Sequence, residues 1–555
     1  MYEVSRHSIG GAAAARSLPA WPDAPPLRSW QEEATEAVRA HSAASFLASA
    51  TPAAGKTTFG LHVAHRMLSA GFVSRVVIAG PTTHICRQWA AGAGRYGIDL
   101  EPNRPNADGP ESGDFDGVAV TYQTIAAGPD THRRAAGRRP TLLIADEPHH
   151  MGDQAAWGLR ARRAFDGARF RLLLSGTPFR SDNSAIPWVN YDEDGLSRAD
   201  YVYGYPQALV DRVCRPITFL PYDGEMEWVS DDRPRSADFD LVLPAAEAAR
   251  RLRTALTPEG EWMGAVLRDG DARLSEVRAS GHPDAGGLVI ASDQDHARAI
   301  AARLSTVSGE QPELVMSDEP GASRRIAEFA SSDRRWMVSV LMVSEGVDIP
   351  RLRVGVYATA ARTELFFRQV VGRFIRTTPG PRRQMSYLLM PADPRLKALA
   401  REIELERRHA LDLSPGAEGD EGEEVDDPSP GEPGGGFAVL SSGGAELDEA
   451  IMSETTLQLF PTEGPEPVAK KAAAAAGPGA APEDLGPERE SAYATRERLR
   501  GERSRLVADV ARRTNQSHRE IQSRINRATR VRSVASATIE QLERGNALLR
   551  RELWR

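Results

Sequence analysis

Lysine is almost absent from this sequence. It occurs only at Lys56, Lys397, Lys470 and Lys471, so arginine carries nearly all the positive charge. Cysteine is scarcer still: Cys86 and Cys214 alone exclude a disulfide framework and a cysteine zinc site, and they fit a reducing interior. No apolar run approaches the ~20 residues that span a bilayer, and Met1 to Ala20 lack the basic-then-apolar layout of a secretion signal. A soluble, cytoplasmic chain without membrane contact is expected. Apolar content of 41% and charged content of 26% are ordinary for folded protein, and 555 residues suffice for several domains. A net charge of −8 would argue against a polyanionic partner if it were uniform. It is not uniform, because Glu488 to Arg555 holds 17 Arg against 9 Asp and Glu. That end is therefore about +8, and the rest of the chain about −16.

What the sequence does have is a stretch at Ala50-Thr51-Pro52-Ala53-Ala54-Gly55-Lys56-Thr57-Thr58, between an apolar run at Phe46 and a helically spaced run from Phe59. Strand, small-residue loop and helix in that order form a phosphate cradle: backbone N–H groups turn inward and the helix N-terminus adds partial positive charge. One of only four lysines stands here, where a compact ammonium fits between phosphates and a forked guanidinium does not. Lys56 is placed on the β- and γ-phosphates of ATP and the Thr57 hydroxyl on Mg²⁺, with Ala53, Ala54, Gly55 and Thr58 completing the cradle. Ala50 stands where the pattern usually begins with Gly.

Short continuous apolar runs alternate with helical stretches downstream: Val76 to Ala79, Val118 to Val120, Leu142 to Ala145 and Leu172 to Leu174. A second series runs through Leu288 to Ala291, Met337 to Leu341, Val354 to Tyr357 and Tyr387 to Met390. Runs without polar alternation suit strands covered on both faces, hence parallel sheets with crossover helices. The expected fold is α/β, two tandem P-loop domains followed by linkers and a small basic helical module. The expected boundaries are a poorly ordered start at 1–20, a first domain at 21–216, a connector or insertion at 217–283, and a second domain at 284–412. An acidic and Pro/Ala/Gly-rich linker with a short apolar island follows at 413–486, then the helical module at 487–555. Leu142 to Ala145 ends in Asp146-Glu147-Pro148-His149, where one carboxylate can hold the metal ion and its neighbour can orient the attacking water.

These stations in this order resemble a superfamily 2 helicase or translocase, a motor of two RecA-like domains, over roughly Leu27 to Met390. The resemblance implies a role for each. Gln31 reads adenine. Pro81, Thr82, Thr83, Thr121 and Gln123 contact the nucleic-acid strand, as do Ser292 and Ser344 in the second domain. Asp146 and Glu147 belong to the Asp-Glu-x-His motif, and Ser175 and Thr177, with His149, couple the nucleotide site to the strand site. Ser344 to Pro350 resembles the motif whose Gly346 and Asp348 meet the nucleotide. Gln369 to Arg376 resembles the motif whose Gln369, Arg373 and Arg376 serve catalysis, the two arginines as fingers on the γ-phosphate. Many relatives have Arg where Val370 stands.

Leu27 to Gln31 and Ser175 to Arg180 look more like DNA-directed motors, including those of type I and type III restriction enzymes, than like RNA helicases. DNA is therefore the expected partner. No Glu-x-Lys triplet exists, since Ala54, Arg395, Val468 and Ala469 lie two before the lysines. A nuclease of that kind is absent, and cutting would fall to a separate effector subunit. The basic end has two readings. Arg512, Arg513, Arg519, Arg524, Arg527, Arg530 and Arg532 would neutralise phosphates, the favoured reading, or its apolar residues, Ile521, Ile525 and Leu549 among them, would form a small core or pair with a partner helix.

Overall fold

The computed structural model describes residues 17–22, 26–109, 111–148, 155–176, 186–191, 197–230, 233–316, 321–340, 349–378, 384–409, 438–448, 451 and 491–554. Two compact units divide the chain, one of residues 1–50, 55–202 and 482–555, the other of 51–54 and 203–481.

In the first unit the apolar runs become β1 (Ser45–Ala50), β2 (Arg75–Gly80), β4 (Gly117–Thr121), β5 (Thr141–Asp146) and β6 (Phe170–Ser175), joined by the short β3 (Leu100–Pro102) and β7 (Tyr201–Tyr203). Their order is β3-β4-β2-β5-β6-β1-β7. Val118, Val77 and Leu143 stand in register across three parallel strands and belong to one buried cluster. Burial on both faces is why these strands read as unbroken apolar runs. Register also aligns the strand tips: Ser49 of β1 pairs with Ser175 of β6, and Leu174 with Asp146 of β5. Gly80 of β2 pairs with Thr121 of β4. Helices α1 (Ser29–Ala40), α2 (Lys56–Ser69) and α3 (Thr83–Gly94) belong to this unit. Residues 17–20, expected to be poorly ordered, are packed: the Pro19 carbonyl meets His65 Nε2 of α2 at 2.8 Å. Beside them Trp21 stacks on Tyr96, ring centroids 3.9 Å apart.

The second unit repeats the scheme with β8 (Ile217–Asp223), β9 (Gly286–Ala291), β10 (Glu313–Val315), β11 (Trp336–Val340), β12 (Leu352–Ala358), β13 (Ser386–Pro391) and β14 (Glu446–Leu447). The order is β10-β11-β9-β12-β13-β8-β14, with β14 antiparallel at the edge. Residues 217–283, expected to be a connector, supply β8, which pairs in parallel with β13. Thr218 and Pro221 interrupt its apolar run, which is why it did not read as a strand. The apolar island also returns to this unit, where Ala438–Ser442 pairs with Met226–Ser230. Helix α4 (Glu364–Phe374) follows β12.

The basic end is a bundle of α5 (Ala492–Thr514), α6 (His518–Ala528) and α7 (Ile539–Leu553) around Val507, Val510, Ile521, Ile525 and Leu549. The expected capping box holds: Ser517 accepts from the Glu520 N–H at 3.3 Å, and Glu520 accepts from the Ser517 N–H at 2.9 Å. The bundle lies on the sheet domain of its own unit. The first N–H of α5, on Ala492, donates to Asp99 at 3.3 Å, and that of α7, on Ile539, donates to Asp114 at 3.0 Å. Two helix N-termini, each partially positive, thus rest on carboxylates. Arg496 reaches Glu101 at 3.8 Å and covers the Phe115 ring.

Candidate functional site

The turn out of β1 needs left-handed backbone, with φ of 66° at Ala53 and 93° at Gly55. Gly55 is the position that only glycine suits, because a Cβ there would come within 2.7 Å of Gln31 Nε2. That amide donates to the Gly55 carbonyl at 2.9 Å, while its oxygen accepts from the Arg28 N–H at 2.9 Å. Gln31 is buried beside the loop. Lys56 opens α2 with its ammonium half-buried; it donates to the Ala50 carbonyl at 3.1 Å and pairs with Glu147 Oε1 at 3.1 Å. Thr57, next on α2, is exposed.

The acidic pair is held from several sides. Trp89 of α3 donates its indole N–H to Asp146 Oδ2 at 2.8 Å, and the Tyr122 hydroxyl donates to the Asp146 carbonyl at 2.7 Å. Glu147 has φ of 52°, a costly conformation for a residue with a Cβ, and its N–H donates to the Leu174 carbonyl at 2.8 Å. Its carboxylate accepts from the Ser175 hydroxyl at 3.0 Å and from the Gly176 N–H at 3.1 Å. The aligned strand tips therefore converge on one carboxylate, joined by the loop lysine and the end of β6. Burial above all, with the Asp146 charge adding, pushes the nearby Cys86 thiol up to about 12, so it stays protonated. A hydroxyl and a carboxylate are hard oxygen donors, so Thr57 and Asp146 have the chemistry for Mg²⁺. Among the described residues no cluster of three or more His, Cys, Asp or Glu forms another metal site.

The stations expected to meet nucleic acid fall into two groups. Pro81 to Thr83 and Thr121 to Gln123 follow the neighbouring tips of β2 and β4. Thr82 and Thr121 are committed to capping, accepting from the N–H groups of Ile85 and Thr124 at 3.3 and 3.2 Å. Thr83 and Gln123 are exposed. In the second unit Ser292 follows β9, its N–H donating to His296 at 3.1 Å and its hydroxyl to the Ala358 carbonyl at 3.4 Å. Gln369 and Arg373 lie half-buried on α4, and Arg376 just after it in an isolated bridge with Cys214. His149, Thr177, Ser344, Gly346 and Asp348 lie outside the described residues.

Sequence reasoning missed Trp89 and Tyr122, which hold Asp146; nothing in their local pattern marks them. Arg215 was missed too. It is fully buried, its N–H donates to the Ile375 carbonyl at 2.7 Å, and its guanidinium meets the Pro350 carbonyl.

Residues 24–180 match the family described as type III restriction enzyme, res subunit. The uncharacterized protein Rv2917 of Mycobacterium tuberculosis is 45% identical over 444 residues, covering 77% of this chain and 72% of that protein. Two solved structures are similar at 16% identity. A fragment of a putative HsdR subunit of a type I restriction enzyme from Vibrio vulnificus aligns with TM-score 0.47 over 67% of this chain and 65% of that one. An ATP-dependent type ISP restriction-modification enzyme, LlaBIII, bound to DNA, aligns with TM-score 0.45 over 66% and 27%. The chain thus spans less than two thirds of either solved chain. Its first domain is of the superfamily 2 helicase-like class related to restriction-enzyme motors. The chain belongs to one family with the mycobacterial protein Rv2917.

Proposed function

We propose that the protein is a nucleic-acid-dependent ATPase that moves on or unwinds DNA. The observation that carries this reading is the Lys56–Glu147 pair at 3.1 Å inside a P-loop cradle, with Ser175 and Gly176 on the same carboxylate. Without nucleotide the two charges satisfy each other. A triphosphate draws the Lys56 ammonium onto its β- and γ-oxygens, which frees the Glu147 carboxylate to take a proton from the attacking water. Mg²⁺ on Thr57 and Asp146 would neutralise charge on the phosphate oxygens. Trp89 keeps Asp146 aimed, and Gln31 ties the adenine side to the loop through Gly55.

In this reading Arg373 and Arg376 supply guanidinium charge to the γ-phosphate when the two domains close, so hydrolysis is conditional on closure. Gly346, Asp348 and Gln369 complete that half of the site. Ser175 links Glu147 to the β6 exit and, with Thr177 and His149, passes the change on to the strand contacts. DNA is favoured over RNA by the likeness of residues 24–180 to the res-subunit family. Without a Glu-x-Lys triplet, any cleavage would be made by a separate effector subunit. No helix among the described residues is long and apolar enough to cross a membrane. ATP hydrolysis measured in parallel with single-stranded DNA, duplex, forked DNA and RNA tests the reading. DNA-specific stimulation is expected; equal rates with and without nucleic acid would overturn it.

A further inference from the structure

Most carboxylates of the C-terminal bundle are already engaged. Glu552 holds Arg524, Asp509 holds Arg512, Glu540 holds Arg544 and Glu502 holds Arg550. Glu520 is taken by the capping box. Several exposed arginines make no ion pair with any described residue, Arg519, Arg527, Arg530 and Arg532 among them. The first three share one side of α6 and its exit. A step of eight residues through Ser523 keeps Arg519 and Arg527 in one helical row, opposite the buried Ile521 and Ile525, and Arg530 follows two residues past the helix end at φ of 56°. The run from Arg519 to Arg527 spans about 12 Å of helix axis. One strand of duplex presents about three to four phosphates over that length.

The contacts that hold the bundle to the first domain are made by α5 and α7, through their N-termini and Arg496. The apolar residues that could have recruited a partner helix instead form the bundle's own core. No large apolar side chain is exposed on α6, so the face lacks the apolar centre that a protein interface uses.

We propose that the outer face of α6 and its exit, Arg519 and Arg527 on the helix with Arg530 and Arg532 just past it, is a sequence-independent contact for the phosphate backbone of duplex DNA. Held on the first motor domain, it gives the chain a grip on nucleic acid that does not depend on the nucleotide cycle. This rests on the reading of the chain as a nucleic-acid motor.

The test is fluorescence anisotropy of the full chain on two mixed-sequence DNA duplexes across a salt series, without nucleotide. The triple variant R519E/R527E/R530E is expected to weaken binding at least tenfold at low salt, equally for both duplexes. It should also flatten the salt dependence by two to three units of slope, about 0.9 for each phosphate no longer neutralised. The triple R519K/R527K/R530K should keep wild-type affinity, and hydrolysis without nucleic acid should be unchanged in both. A control triple of the same charge change in the second unit, R268E/R395E/R401E, should have little effect. Unchanged affinity in the Glu triple, equal weakening in the control, or weakening in the Lys triple would each overturn the proposal while leaving the motor reading in place. A wild-type chain that binds no duplex would overturn both.

Discussion

Two regions of the first unit use the same chemistry for opposite ends. At the loop, Lys56 and Glu147 pair with side chains 14% and 27% exposed, each holding further partners within reach. In the C-terminal bundle, Arg496 and Arg503 are 1% and 0% exposed. Arg496 meets Glu101 and Phe115, and Arg503 meets the amide oxygens of Gln522 and Asn526 at 3.1 and 2.7 Å. The first pair keeps some contact with solvent, as the proposed exchange of partners on a phosphate requires. The second set is sealed, and burial lowers both arginines from their ordinary value. An ion pair meant to break stands at a rim; a cation meant to fix one helix arrangement stands inside.

The largest expected effect strikes the exchangeable side. Lys56→Ala and Glu147→Gln should each cut ATP turnover by roughly a thousandfold, with the thermal midpoint shifted little, as checked by a coupled hydrolysis assay and calorimetry. Persistent DNA-stimulated turnover in the Glu147 variant would remove that residue from its role. Arg376→Ala should lose turnover to a similar or smaller degree yet retain ATP affinity, measured with a fluorescent nucleotide.

On the sealed side the signs reverse. Arg496→Ala should leave hydrolysis without nucleic acid intact while costing about 3 kcal/mol at the docking surface. Protease cleavage freeing the C-terminal bundle would report it. The smallest effect sharpens the same contrast through pH. His132 is buried with its ring against Asn106 at 3.1 Å, and burial lowers it to about 4. Between pH 6.5 and 4 the unfolded chain therefore binds the proton that the folded chain refuses, so stability falls as pH falls through that window. The thermal midpoint should drop on going from pH 7 to pH 5, and His132→Gln should make the drop shallower.

Much of this was legible in the residues. The buried strands could be read because double burial leaves no polar alternation, and the loop because Gly55, Lys56 and Thr57 are types with few substitutes in a phosphate cradle. The Ser517–Glu520 box is a local signal, and it holds. Strand β8 was hidden by Thr218 and Pro221 inside an apolar run. Trp89, Tyr122 and Arg215 were hidden for a different reason, because each acts on a residue distant in sequence.

By itself, then, the sequence determined most of the buried strands, where the loop after β1 turns, and that its basic stretch near Arg555 is helical. These follow from short-range patterns, since periodicity, caps and small residues act over a few positions. Only the tertiary structure decided that Glu147 takes the Lys56 ammonium, that Trp89 holds Asp146, and that the basic bundle rests on Asp99 and Asp114. It also decided which arginines are buried, which are paired and which face outward. A helix pattern gives the angle of a side chain about its own axis, but whether a carboxylate stands opposite depends on a partner brought near by packing.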